Sequence, residues 1–192
     1  LAGKYELVNA LLENEIQSVY LAKPMGGQEQ VHFLINEFKD TDIIYELREG
    51  LSKGSVHYIR NLAETFYSDF NFYIVSHIPP GITFEDFLNN NSLRLTEKIY
   101  IIDSLLSQLS EMDHLSPLLQ HALCNPYNLT ILNKKSISFN SNIIINREEK
   151  VITGKELTAR VGLVICMIFA NTVGTTPDHA SDYVPPAMLP II

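Results

Sequence analysis

Tyr5 to Lys23 reads YELVNALLENEIQSVYLAK, two strand-forming runs around a polar turn. Glu6, Val8 and Ala10 alternate weakly, Ser18 to Ala22 is rich in β-formers, and Glu13-Asn14-Glu15 supplies the turn. Working outward, Pro24 to Gln30 is a loop with paired glycines, and Val31 to Phe38, VHFLINEF, is a third strand. The three runs predict an antiparallel meander. Asp42 to Leu51 follows as a short helix with Asp42 as its cap, because Ile43, Leu47 and Leu51 recur every four residues, with strand the alternative for Ile43-Ile44-Tyr45. Ala63 to Tyr67 and Phe72 to His77 then read as a hairpin turning at Ser68 to Asn71.

Ile78-Pro79-Pro80-Gly81 breaks this pattern, since neither strand nor helix runs through paired prolines. Beyond it the periodicity becomes helical. Thr83 caps a short helix through Leu88. Leu95 to Met112 carries Ile99, Ile102, Leu105, Leu106, Leu109 and Met112 on one stripe, with Thr96 as its cap. Asn128 to Leu132 and Ser136 to Phe139 form a small β pair, Ile143 to Ile145 one more short strand, and Thr153 caps a helix from Gly154 to Thr172. The expected class is α+β, with an antiparallel β lobe over residues 1–78 and a mostly helical lobe over 79–192.

The 192 residues are 46% hydrophobic and 19% charged, with a net charge of −8. That is a globular composition. Its acidity disfavours nucleic acid and anionic lipid as partners. The longest apolar run, Val161 to Ala170, is too short to span a bilayer and reads as a core helix. No signal peptide is recognised, and a start at Leu1 suggests a piece of a longer protein, so an anchor outside the piece stays open. The two cysteines, Cys124 and Cys166, form no disulfide framework, which fits a reducing cytoplasm. The six histidines show no zinc-binding spacing. Phe66, Tyr67, Phe70, Phe72 and Tyr73 read as hairpin and core, not as a base-stacking platform, because no basic residues interleave with them.

Leu11 to Ala22, LLENEIQSVYLA, resembles the glycine-rich first hairpin of protein kinases in Leu11, Glu13 and Ser18 to Ala22. Leu12, Asn14 and Gln17 stand where that family has its three glycines. Phe33 to Asn36, FLIN, resembles the third-strand V-A-I-K, with Asn36 in place of the lysine and Glu46 or Glu49 available as the helix glutamate. His121 to Asn128, HALCNPYN, resembles the catalytic loop H-R-D-L-K-P-x-N. His121, Pro126 and Asn128 match, while Ala122, Leu123 and Asn125 replace the arginine, the base aspartate and the lysine. Ser141, or Asn140 in the other register, stands at the metal-binding aspartate of D-F-G. Gly162 matches a small packing residue of the helix after the activation segment, a segment almost missing here.

The resemblance spans roughly Tyr5 to Thr172. It implies a two-lobed, protein-kinase-like fold with a reduced helical C-lobe. It also implies a degenerate cleft at Leu12, Asn14, Gln17, Asn36, Leu123, Asn128 and Ser141. Phosphoryl transfer needs a lysine on the phosphates, an aspartate on the metal and a positioned base, and all three matched positions lack them. The expectation is therefore a pseudokinase acting as a protein-interaction or regulatory module, with no catalytic residue, metal or cofactor and with a protein partner the sequence does not identify. Two alternatives remain. A divergent phosphotransferase using ATP and Mg²⁺ would take acids from Asp103, Asp113, Glu148 or Glu149. A metal-independent nucleotide binder would be walled by Val19, Leu34, Val75 and Leu132. His121 taken alone reads as a packing or backbone-bonding histidine, Asn128 as a turn residue, and Cys124 lacks the partners of a nucleophile.

Overall fold

A computed structural model describes residues 1–26, 32–52, 61–78, 82–133, 135–140, 143–145 and 152–173. The prolines and glycine at 79–81, Ser141, Glu148, Glu149 and the tail from Gly174 lie outside the described residues. The class is mixed α+β, with antiparallel sheets and five α-helices among the described residues. The chain divides into two compact units. Unit 1 is Leu1–Pro80 with Asn140–Val151, and unit 2 is Gly81–Phe139 with Ile152–Ile192. Residues 140–151, expected with the second half, thus group with the first.

Unit 1 is built on five strands. They are β1 (Tyr5–Glu13), β2 (Gln17–Pro24), β3 (Phe33–Phe38), β4 (Leu62–Ser68) and β5 (Asn71–His77), with α1 (Thr41–Ser52) between β3 and β4. All neighbours are antiparallel, in the order β1-β2-β3-β5-β4. The β4–β5 hairpin turns at Asp69 and Phe70, whose φ values of 49° and 67° give the twist that tight hairpins favour. Asp40, not Asp42, caps α1. Its Oδ1 accepts from the amides of Asp42 and Ile43 at 3.2 and 3.3 Å, because the cap must precede the first helical residue.

Cross-strand partners point to the same side of a sheet, so register assigns every side chain to one of two faces. One face gathers Tyr5, Ala22, Ile35, Tyr73 and Val75 into a core extended by Leu1, Tyr20, Phe33 and Phe66. Phe66 stacks on Tyr73 at 4.9 Å and Tyr5 meets Phe33 edge-on at 5.4 Å. The Tyr5 hydroxyl and Lys4 Nζ both donate to Glu64, at 2.6 and 2.7 Å, which ties edge strand β1 to edge strand β4 and curls the sheet. The other face carries Gln17 and Val19, Asn36 and Phe38, then Phe72, Ile74 and Ser76, all buried.

Unit 2 runs β6 (Ile82–Thr83), α2 (Phe84–Asn90), α3 (Leu95–Glu111), α4 (Pro117–Leu123), a 3-10 turn (Pro126–Asn128), β7 (Leu129–Leu132), β8 (Ser136–Phe139) and α5 (Gly154–Ala170). The strands form one sheet ordered β6-β7-β8. Thr83 and Thr153 cap as their spacing predicts, accepting from Asp86 and Glu156 amides. Thr96 does not cap α3, which begins one residue earlier at Leu95. There the Arg94 amide donates to Glu97 at 2.8 Å. The sequence reading placed no helix over α4, although Ser116 followed by Pro117 is a start signal. Lys98 Nζ donates to the Phe169 carbonyl at 2.6 Å and Asn171, left-handed at φ 61°, donates to the Leu88 carbonyl at 2.6 Å. These bonds fasten the end of α5 to α2 and α3. Among the described residues, no helix is long and apolar enough to cross a membrane.

Candidate functional site

The matched positions in unit 1 converge on the β1–β2 turn and on the sheet face beneath it. Asn14 closes the turn on itself. Its Oδ1 accepts from the amides of Ile16 and Gln17 at 2.9 and 2.8 Å, and its own amide donates to the Gln17 carbonyl at 2.9 Å. A glycine-rich loop leaves such amides open so that phosphate oxygens can accept from them. Here the turn spends both on an asparagine side chain. Lys39 is drawn to the same turn, donating to Ser18 Oγ at 2.7 Å and to the Asn14 carbonyl at 3.4 Å. Leu12, at the first glycine position, sits half-buried on β1.

Gln17 has no exposed surface. Its Nε2 donates to the Ile143 carbonyl at 3.0 Å and to Asn36 Oδ1 at 3.4 Å, and its Oε1 accepts from the Ile145 amide at 2.5 Å. One carboxamide therefore does for residues 143–145 what a neighbouring strand's peptide group would do. Ile143 and Ile145 are buried. The segment belongs to neither sheet, so the short strand expected there is an extended strap held by a side chain. Asn36, matched above to the lysine, is completely buried, and its Nδ2 has no hydrogen-bond acceptor among the described residues. Ser76 Oγ, farther along the same face, is likewise buried and has no partner among the described residues. Glu46 is half-buried and Glu49 exposed on α1.

In unit 2, His121 is buried near the end of α4, and its Nε2 accepts from Arg160 Nε at 3.1 Å. An acceptor nitrogen carries no proton, so this contact requires the neutral ring. Leu123 is 1% exposed, and Asn128 is buried at the end of the 3-10 turn, whose start Asn125 caps by accepting from Tyr127. Cys124 is buried, and desolvation pushes its thiol up to about 12 although Arg160 opposes the shift, so it is an inert core thiol. Cys166 is also free, buried and shifted upward by burial. Asp103 and Asp113 are exposed. An apolar groove of about 360 Å³, lined by residues that include Leu106, Leu109, Leu157, Val161 and Ile165, opens among α3, α4 and α5.

Two readings from the sequence change. Val75 lies on the aromatic face, whereas Val19 and Leu34 lie on the other, so these three cannot wall one pocket. Gln17, matched above to a glycine, holds the strap through its side-chain bonds. A long amide side chain entering a strand next to a turn was the available signal, but the carbonyl it donates to and the amide it accepts from lie 126 and 128 residues away. Among the described residues, no group of three or more His, Cys, Asp or Glu side chains is placed to hold a metal ion. Searched against models of protein families and against curated protein sequences, the chain matches neither a family nor a curated relative.

Proposed function

We propose that this chain is a kinase-like, catalytically silent domain that serves as a protein-interaction or regulatory module. The observation that carries this reading is the Gln17 carboxamide, buried and bonded to Asn36, Ile143 and Ile145. It occupies the floor beneath the first hairpin with the chain's own atoms. The order hairpin, third strand, helix, then two further strands supports the kinase-like assignment, since that family sets its lysine on the third strand and the lysine's glutamate on the next helix.

The residues at the matched positions do not fit a magnesium–triphosphate group. Asparagine at position 36 brings no charge to phosphate, and Leu123 cannot accept a proton. The turn amides are already bonded to Asn14. Each deficit has a physical cost, and phosphoryl transfer depends on several such groups acting together.

Thermal unfolding with ATP, with and without Mg²⁺, tests the proposal. A ligand present at ~100 times its dissociation constant stabilises the folded state by about 2.7 kcal/mol, a shift of roughly 5–10 °C for a chain of this size. No shift is expected. A magnesium-dependent shift supports a divergent phosphotransferase instead, and a magnesium-independent one a nucleotide binder.

A further inference from the structure

We infer that the sheet face around Gln17 and Asn36 is a peptide-docking groove. The strap Ile143–Ile145 is its resident occupant, and a partner's extended segment with two aliphatic side chains two residues apart is its exchangeable one. The inference rests on the interaction-module reading and names the class of partner.

Three observations carry it. The strap is recognised as a peptide would be. Gln17 bonds one carbonyl and one amide of its backbone, at Ile143 and Ile145, while the two outer isoleucines are buried and Ile144 is only half-buried. This is how extended ligands are read, with main-chain bonds for affinity and alternate side chains for specificity. The strap also stands outside both β ladders, so its release breaks no sheet. Finally, the groove is incompletely satisfied by its present occupant. Asn36 Nδ2 is buried beside Gln17 on the same face and has no hydrogen-bond partner among the described residues. Buried donors without acceptors are uncommon in native proteins and call for an explanation. A segment that brought a carbonyl to Asn36 Nδ2 would dock better than the strap does.

The partner segment is therefore extended, aliphatic and uncharged at two alternate positions. A charged residue in either isoleucine position would be buried without a counter-ion.

Two measurements on the full chain test this. In native-state hydrogen exchange, the Ile145 amide should exchange ~100-fold or more faster than those of Ile35 and Ile74 in the central strands, because a strap that opens locally exchanges without global unfolding. Next, a fluorescent peptide with the sequence of Asn140–Val151, NSNIIINREEKV, is titrated into the double variant Ile143→Ser, Ile145→Ser. It should bind saturably and ~10-fold or more tighter than to the natural chain, where the resident strap competes. The same peptide with both isoleucines changed to serine should not bind.

Equal protection of Ile145 and the central strands makes the strap fixed core and overturns the inference, whether or not the double variant folds. A folded variant that ignores the peptide overturns it as well. Dimers whose share rises with protein concentration would make a second copy the occupant and overturn the assignment of a foreign segment. None of these outcomes bears on nucleotide binding, so the groove and the silent-kinase reading fail separately.

Discussion

The two faces of the five-stranded sheet are built on opposite principles. On the aromatic face, buried rings touch one another and polar atoms at the margin are bonded. Glu37 accepts from Tyr20, Tyr73 and Asn71, and Glu64 accepts from Tyr5 and Lys4. On the opposite face Gln17, Asn36 and Ser76 are as deeply buried as the core leucines, yet two of the three keep an atom without a partner among the described residues. Burial alone does not separate a core from a site. The separation lies in whether the buried polar groups are satisfied by the fold itself.

Substitutions on the two faces should separate them by size. Ile35→Ala empties volume from the completely buried centre of the aromatic core and should cost about 2–5 kcal/mol in chemical denaturation. Gln17→Ala should cost somewhat less, about 2–4 kcal/mol, because it strands one amide and one carbonyl of the strap. Its loss should also speed exchange at Ile145 and leave Ile35 unchanged. Equal effects on both amides would erase the distinction between the faces. Asn36→Leu should cost less than ~2 kcal/mol, since it removes a donor that lacks a partner among the described residues together with the acceptor of one long bond from Gln17. A loss of several kcal/mol would mean that Asn36 is well satisfied.

Outside both faces, Phe70 is 98% exposed at φ 67°. Phe70→Gly should stabilise by about 1 kcal/mol by relieving a left-handed backbone. Unchanged stability would show that the hairpin tip bears no strain.

Alkali should attack the aromatic face specifically. Burial, aided by Glu64, pushes the Tyr5 hydroxyl up to about 12, and burial with Glu37 does the same for Tyr73. The folded state therefore holds both protons more tightly than the unfolded chain, whose phenols titrate near 10. The stabilisation is complete below pH 10 and is lost as pH rises through 12. A melting temperature that falls from pH 10 upward, and falls less in Tyr73→Phe, is the expected result. A flat profile would contradict it.

Much of this architecture is legible in the sequence because it is local. Alternation and a polar turn mark β1 and β2, and four-residue spacing marks α1. A Ser/Thr-initiated cap marks α5 and would have marked α4. The strap is not legible in the same way. Ile143 to Ile145 has the composition of a strand, and nothing in its neighbourhood says that its bonding partner is a glutamine far back in the chain. The satisfaction of Asn14 by its own turn was equally hidden, since an asparagine in a turn is compatible with amides turned inward or outward. Replaced motif residues reveal which groups are missing. Only their surroundings reveal what fills the space.

The most direct test follows the side chain at the centre of the account. With selectively labelled protein, the carboxamide resonances of Gln17 and the amide of Ile145 can be followed by NMR while ATP is added with Mg²⁺. Both should stay in place up to millimolar ligand. Saturable, magnesium-dependent movement of both would mean that the strap yields to a nucleotide, and would contradict a floor closed to triphosphate.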